Sequence, residues 1–184
     1  MSANFDLDHN RLFGLLEETL REDKVNLHLE ANGGNSILFA YPNEEDSKYV
    51  AEAKRRFRDS AIFVDVAETL TDYQEEIGPE EFKELENDLG IEVYYRKGAT
   101  DTFFEYLVAR IASAAEQGMP VFLIGTSAIV NKGFSNINIM EHKAVKTAQQ
   151  PLVYFYPSVI EGEQIYVLGD KNHPASKYRC RIIK

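Results

Sequence analysis

Cysteine, tryptophan and long apolar runs are scarce in this sequence of 184 residues. It has no tryptophan and a single cysteine, Cys180. One cysteine cannot form an internal disulfide, so a reducing cytoplasm is the expected compartment. No apolar run approaches the roughly 20 residues that cross a bilayer, and the N-terminus lacks the basic and apolar regions of a secretory signal. These absences predict a cytoplasmic protein without a membrane segment.

Positive charge is also in short supply, and its distribution is uneven. The net charge is −10, and residues 44–105 carry 18 acidic and 8 basic side chains, which accounts for the whole excess. An acidic protein repels phosphate backbones, so we expect no direct binding of nucleic acid. Residues 171–184 contain five basic side chains and no acid. The acidic excess indicates either a solvated surface or a face for a basic partner, and the basic end suggests a homodimer as one such pairing.

Glycine is missing where a nucleotide-binding fold needs it. Residues 36–42 form an apolar run that predicts the first buried strand, and Pro-Asn-Glu-Glu-Asp-Ser follows at 42–47. Only glycine lets backbone N–H groups close on a phosphate at this turn, and three carboxylates repel one. The sequence therefore predicts no nucleotide and no other cofactor here, although the acids suit the start of a helix.

Apolar runs and helical periodicity alternate along the rest of the chain. Residues 120–126 predict a strand buried on both faces, which we place at the centre of a parallel sheet. The other predicted strands are residues 61–66, 151–157, 164–169 and 178–183, with a peripheral strand or extended loop at 91–95. The predicted helices are residues 7–22, 46–59, 67–89 (restarting at Gly78-Pro79), 100–117 with Thr100 as its cap, and a single helix after Ser135. Residues 25–29 fit either a helix or an extended piece.

This rhythm of strands and helices predicts an α/β fold. We expect a three-layer open sheet, mostly parallel, with an antiparallel C-terminal hairpin and a nucleotide-binding-like core without a P-loop. The length suits one domain over residues 1–184, with a helical segment at 1–30 and the sheet core at 36–184. Sites in such sheets lie beyond the carboxyl ends of the strands, which makes the loop at 128–134 the best-placed segment for function.

No group of residues carries a catalytic signature. The four histidines are scattered without metal-ligand spacing, so the sequence predicts no metal site. Ser127 follows Gly125-Thr126 at a strand end, but Ile129 stands where a nucleophile elbow needs a second glycine. The enzyme alternative is a small hydrolase or nuclease that would use Asp65, Ser127, Asp170 and His173 at the strand ends. It requires that these side chains converge in one cleft.

The C-terminal third contains the segments of a known family. These are Pro-Leu-Val-Tyr-Phe-Tyr-Pro at 151–157, a turn at Gly162, Ile-Tyr-Val-Leu-Gly at 165–169, Tyr178-Arg179 before an apolar end, and earlier in the chain residues 37–42 and 121–126. In this order they resemble the BrxB-like family of BREX bacteriophage-defence systems. The resemblance covers most of residues 36–183 and is specific around 120–170.

The resemblance implies a non-enzymatic component of a multi-protein antiphage complex, which links a large ATPase to an alkaline-phosphatase-like protein. Contacts with these partners are expected from the loop at 128–134, the C-terminal hairpin and the acidic flank at 67–89. Interfaces favour aromatic and charged anchors. The candidate partner-binding residues are Lys132, Phe134, Tyr156, Tyr166 and Arg179, for each of which ordinary packing is the alternative.

Overall fold

A computed structural model describes residues 3–22 and 24–184, with side chains from Asp8 onward. The strands are β1 (Ser36–Pro42), β2 (Ile62–Asp65), β3 (Val121–Ile124), β4 (Leu152–Glu161), β5 (Gln164–Val167) and β6 (Arg181–Ile183). The helices are α1 (Ala3–Arg21), α2 (Lys24–Glu30), α3 (Asp46–Arg56), α4 (Val66–Ile77), α5 (Pro79–Leu89), α6 (Phe103–Ala115), α7 (Asn136–Glu141) and α8 (Lys143–Thr147). Three short 3-10 turns lie at Asn43–Glu45, Gly90–Val93 and Thr126–Ile129. The predicted helical segment at 1–30 includes residues 1, 2 and 23, which lie outside this description.

The sheet has the order β2-β3-β4-β1-β6, and all four pairings along this path are parallel. Strand β5 pairs antiparallel with the far half of β4, which forms the predicted hairpin. The predicted α/β class with a mostly parallel sheet is therefore confirmed. The centre is β4, however, and not β3 as we expected. Burial alone could not decide between them, because both strands are apolar and covered on both faces.

Two layers of helices cover the sheet, each over its own core. On one face, α1, α2 and α3 pack their apolar side chains against β1, β3 and β4. On the other face, α4 to α8 cover a larger core that also includes β2 and β5. A right-handed connection crosses on one face when the chain moves in one direction along the sheet, and on the other face when the chain moves back. This explains why helices cover both faces. In the described part of the chain, no helix is both long enough and apolar enough to cross a membrane.

Several predicted boundaries are wrong. Residues 91–95, expected as a strand or loop, fall largely in the 3-10 turn Gly90–Val93. The single helix expected after Ser135 is two short helices, because the chain is extended at His142, with ψ 140°. Helix α6 begins after Thr102 and not Thr100. Residues 25–29, which sequence left ambiguous, are helical.

The turn before β1 fixes the start of the sheet. Asn35, fully buried, donates hydrogen bonds from Nδ2 to the carbonyls of Ala148 and Gln150, each at 3.0 Å. A Cβ at Gly34 would lie 2.1 Å from the Arg179 carbonyl oxygen, so only glycine fits there. The polar turn that the sequence marks as a simple breaker therefore joins β1 to the segments before β4 and β6.

Candidate functional site

The carboxyl end of β1 is the usual nucleotide position, and carboxylates occupy it. Glu44, Glu45 and Asp46 stand at the start of α3, where backbone N–H groups would otherwise attract an anion. The Tyr41 hydroxyl, at the end of β1, donates a 2.6 Å hydrogen bond to Asp46. Burial first, and then Asp46, raise the pKa of Tyr41 well above its usual range. The Tyr41 hydroxyl at this strand end is therefore bonded to a residue of the turn that follows the strand.

A shallow cavity of about 320 Å³ lies beside this strand end. Its charged lining residues are Asp8, Arg11, Glu44 and Lys184, two of each sign. Arg11 donates to the Lys184 main-chain oxygen at 3.2 Å. The charges balance, and residues 40–48 contain no glycine. This strand end therefore lacks the backbone cradle that a phosphate requires.

A different cavity opens at the carboxyl ends of β3 and β4. Its volume is about 210 Å³. The lining residues are Thr126, Ile129, Val130, Asn131, Phe134, Ser135, Asn136, Tyr154, Tyr156, Val167, Asn172, His173 and Pro174. We call it the strand-end cavity. Three segments that are distant in sequence converge here: the loop after β3, the Tyr-x-Tyr of β4, and the chain that follows β5.

Two buried tyrosines form the inner wall of the strand-end cavity. Tyr154 is 2% exposed and Tyr156 is 5% exposed, with their ring centres 5.7 Å apart. Burial is the main cause that raises the pKa of both hydroxyls, so both stay protonated near neutral pH. Thr126 lines the same cavity and donates from its hydroxyl to the Phe155 carbonyl at 2.5 Å.

The rim carries the one carboxylate–histidine pair of the candidate chemistry. Nδ1 of His173 lies 2.9 Å from Oδ2 of Asp170. The pKa of Asp170 is lowered first by its hydrogen bond with His173 and next by the backbone N–H of Asn172. Because Nδ1 faces the carboxylate, the hydrogen-bond network assigns Nε2 as the free lone pair of the neutral ring. His173 lines the cavity, so in this tautomer its ring adds an acceptor to the rim.

The loop after β3 is held in place by its own polar contacts. Ser135 and Asn138 form a capping box at the start of α7. The buried Asn136 donates from Nδ2 to the Ser176 carbonyl at 2.8 Å and accepts from its N–H at 3.2 Å. Phe134 packs edge-on against Phe104, with ring centres 5.1 Å apart. These contacts fix the outer wall of the cavity.

The candidate partner-binding residues fall in separate places. Phe134 and Tyr156 both line the strand-end cavity and are buried there. Lys132 lies with Nζ 3.8 Å from a Glu86 carboxylate oxygen and 3.8 Å from the Tyr94 ring centre. Tyr166 is half-buried on β5 opposite Val159. Their role in binding partners stays a prediction.

Arg179, the fifth candidate, has intramolecular contacts along its whole side chain. Its Nη1 donates to the Asn32 carbonyl, and its Nε lies 3.4 Å from Oε1 of Glu141. The guanidinium carbon also lies 4.6 Å from the Tyr178 ring centre. A partner would have to compete with all three contacts, so its position favours a structural role.

The residues of the enzyme alternative are not assembled into one catalytic group. Asp65 caps α4 by accepting hydrogen bonds from the N–H groups of Ala67, at 2.9 Å, and Glu68. Ser127 is exposed, and among the described residues its hydroxyl has no hydrogen-bond partner, so no base activates it. Asp170 and His173 do pair with each other, but neither Asp65 nor Ser127 lines the cavity that His173 reaches.

Metal and thiol chemistry find little support in the described residues. Across residues 8–22 and 24–184, no cluster of three or more histidine, cysteine, aspartate or glutamate side chains could hold a metal ion. Cys180 is buried, and burial raises the pKa of its thiol to about 12. A thiol in this state is a core group and not a nucleophile.

A strongly acidic surface lies on α4 and α5. Nine carboxylates on these helices are exposed: Glu68, Asp72, Glu75, Glu76, Glu80, Glu81, Glu84, Glu86 and Asp88. Lys83 is the one basic residue in the two helices. Leu89, the last residue of α5, and Ile91, just beyond it, are 40% and 51% exposed.

Sequence reasoning missed Tyr154, Thr126 and Asn136 as parts of the strand-end cavity. The available signal was the alternation Tyr-Phe-Tyr at 154–156, which puts two hydroxyls on one face of a strand that is otherwise apolar. Comparisons of the chain with protein-family models, with curated proteins and with solved structures find no match. The resemblance to the BrxB-like family therefore stays a prediction.

Proposed function

We propose that the protein is a non-enzymatic docking module that brings other proteins together. The observations behind this proposal are the charge distribution of its surface and the separate positions of Asp65 and Ser127 from the Asp170–His173 pair. The resemblance over residues 36–183 suggests the setting: an antiphage complex of the BREX type, in which the chain would bridge a large ATPase and an alkaline-phosphatase-like protein.

The observation that carries the docking role is the acidic surface on α4 and α5. Nine exposed carboxylates and one lysine on two adjacent helices are far from the mixed charges of an ordinary solvated surface. Such a field attracts a positively charged protein segment and speeds its approach. It also disfavours nucleic acid as the partner, because phosphates would be repelled.

Two exposed apolar side chains lie next to these carboxylates. Leu89 and Ile91 are both exposed, and Ile91 borders the loop after β3, since a Cβ at Gly133 would lie 3.2 Å from its Cγ1. Lys132 in the same loop reaches Glu86. We define the docking face as the exposed carboxylates of α4 and α5 together with Leu89, Ile91 and residues 131–133. It combines a charged rim with an apolar contact, as protein interfaces do.

The β1 end argues for docking over nucleotide chemistry. In a nucleotide-binding α/β protein this end presents glycines and bare backbone N–H groups to a phosphate. Here it presents Glu44, Glu45 and Asp46, and Asp46 is already bonded to Tyr41. The enzyme alternative lacks a base within reach of Ser127. A scaffold with these properties is better suited to holding partners than to turning over a substrate.

Affinity capture of the full-length tagged chain, expressed in a host that carries the neighbouring defence genes, tests the proposal. We expect the ATPase and the phosphatase-like protein to be recovered together, and less of both as salt rises, because exposed charges are screened. Recovery of neither would remove the BREX setting.

Charge reversal tests the docking face separately. The double variant Glu76→Lys/Glu84→Lys inverts two exposed charges in mid-face, and we expect at least about a tenfold loss of captured partner. The control Glu18→Lys/Glu116→Lys makes the same charge change at exposed positions on α1 and at the end of α6, away from every segment that is expected to contact partners. Equal recovery with both variants would show that partners do not use α4 and α5. Circular dichroism and urea unfolding of both variants establish that each is folded.

A further inference from the structure

The strand-end cavity has the composition of a ligand site, and of the four residues of the enzyme alternative His173 alone lines it. Its apolar lining is Ile129, Val130, Phe134, Val167 and Pro174, and its aromatic inner wall is Tyr154 and Tyr156. Polar groups from three segments stand among them. Ligand sites in proteins are typically apolar concavities with a few convergent polar groups, often at the carboxyl ends of parallel strands.

One polar group in this wall has no protein partner. Tyr156 is 95% buried, and no described residue forms a hydrogen bond with its hydroxyl, yet that oxygen is not fully enclosed by protein. The hydroxyl is therefore accessible from the cavity, where a ligand atom can replace water as its hydrogen-bond partner. By contrast, the buried amide of Asn136 in the same wall is bonded on both its nitrogen and its oxygen. The donor at Tyr156 is thus open to an acceptor that enters the cavity.

The charges around the cavity restrict the kind of molecule that can carry this acceptor. Among the residues that the structure describes, no lysine, arginine, aspartate or glutamate lines the cavity. The Asp170 carboxylate is paired with His173 at the rim. An ion in this cavity would lack a countercharge, and an anion would also meet the net charge of −10. An uncharged molecule fits these surroundings.

The size and shape of the cavity further restrict the class of ligand. At about 30 Å³ of liquid volume per water, a cavity of about 210 Å³ equals the room of about seven waters. That is the scale of one ring or two fused rings. The rings of Tyr154, Tyr156 and Phe134 offer faces and edges against which a flat molecule packs well.

We propose that the strand-end cavity binds a small, uncharged, flat heterocycle of nucleobase size, whose acceptor atom receives the hydrogen bond of Tyr156. Nε2 of His173 at the rim accepts a hydrogen bond from an N–H of the same molecule. The site borders the docking face at Asn131, so a bound ligand would contact the loop after β3 from the side of the cavity.

Titration of the full chain with adenine, nicotinamide, uracil and indole, followed by saturation-transfer NMR and calorimetry, tests the proposal. We expect saturable binding of at least one heterocycle that carries an acceptor, and weaker binding of indole, which offers only a donor. Adenosine monophosphate is expected to bind more weakly than adenine. If none of the four saturates, or if the phosphate strengthens binding, the proposal is overturned.

Matched variants locate the binding. Tyr156→Phe removes one oxygen from the cavity wall and should weaken binding about three- to tenfold, the range for one neutral hydrogen bond. Tyr166→Phe makes the same change at a neighbouring tyrosine that does not line the cavity, and binding should be unchanged. Val130→Trp places a large ring at the cavity wall and should abolish binding. Binding that survives both Tyr156→Phe and Val130→Trp undiminished would place the ligand elsewhere and refute the site.

Discussion

Tyr41 on β1 and Tyr156 on β4 make a direct comparison, because they lie at the same end of neighbouring strands but on opposite faces of the sheet. In the parallel register Ala40 is opposite Tyr156 and Tyr41 is opposite Pro157. Both side chains are almost completely buried. Tyr41 belongs to the core under α1 and α3, and Tyr156 to the core under α4 to α8. Only the Tyr41 hydroxyl has a partner, Asp46.

The two hydroxyls differ because only one of them has a hydrogen-bond acceptor nearby in the sequence. Asp46 is five residues from Tyr41, at the start of the next helix, so the same turn that ends the strand delivers the acceptor. The surroundings of Tyr156 are assembled from residues 126–136 and 172–174, and they leave a cavity. A cavity also lies beside Tyr41, but the Tyr41 hydroxyl is closed off by its local partner, whereas the Tyr156 hydroxyl stays open to a molecule from outside. The predictions below compare the two ends directly.

Truncation of each ring should have the largest effect. Tyr41 stacks on Tyr49 with ring centres 4.6 Å apart and contacts Phe39 and Phe155. We expect Tyr41→Ala to lower the free energy of unfolding by about 4 kcal/mol, as aromatic-to-alanine changes in cores do. Tyr156→Ala should cost about 2 kcal/mol, because part of its surface already faces a cavity. Urea unfolding at neutral pH measures both, and equal losses would contradict the contrast between a closed and an open end.

Removal of the hydroxyl alone should lower the free energy of unfolding at Tyr41 and leave it nearly unchanged at Tyr156. Tyr41→Phe takes away a hydrogen bond to a charged group and should cost about 2 kcal/mol. Tyr156→Phe removes a hydroxyl that is open to the cavity and has no partner among the described residues, so it should leave stability within about 0.5 kcal/mol of the parent.

A double-mutant cycle with Asp46→Asn provides the control for that assignment. Coupling between Tyr41→Phe and Asp46→Asn should be measurable, whereas Tyr156→Phe and Asp46→Asn should be additive, since these two residues do not interact. A large loss of stability in Tyr156→Phe would mean that its hydroxyl has a partner inside the protein.

Much of the architecture could be predicted from the sequence, because apolar runs and helical periodicity report directly on burial. The α/β class, the antiparallel hairpin and the buried strands are confirmed. The order of strands was less accessible, since residues 121–124 of β3 and 152–157 of β4 are both apolar and periodicity does not rank them. The break at His142 was missed because the apolar residues on either side continue a helical pattern across it.

The site was predicted only in part. The expectation that the strand ends carry the site led to Phe134 and Tyr156, which do meet at one cavity. In a strand buried on both faces, sequence does not tell which layer a side chain enters, so Tyr156 looked like a surface anchor. Asn172 and His173 reach the same cavity through the turn after β5. Contacts between segments so distant in sequence are set by tertiary packing and leave no local pattern.

Alkaline titration is the mildest way to separate the two tyrosines. Burial raises the pKa of both, with Asp46 as a further cause only at Tyr41. A raised folded-state pKa gives stability that is complete below the unfolded value of about 10 and is lost as pH rises above it, by about 1.4 kcal/mol per pH unit for each tyrosine. Between pH 9 and pH 11, Tyr41→Phe and Tyr156→Phe should each therefore lose about 1 kcal/mol less than the parent in urea unfolding. If Tyr156→Phe alone tracks the parent, the Tyr156 hydroxyl ionises in the folded protein, and the open cavity admits enough water to solvate a charge that the closed end at Tyr41 excludes.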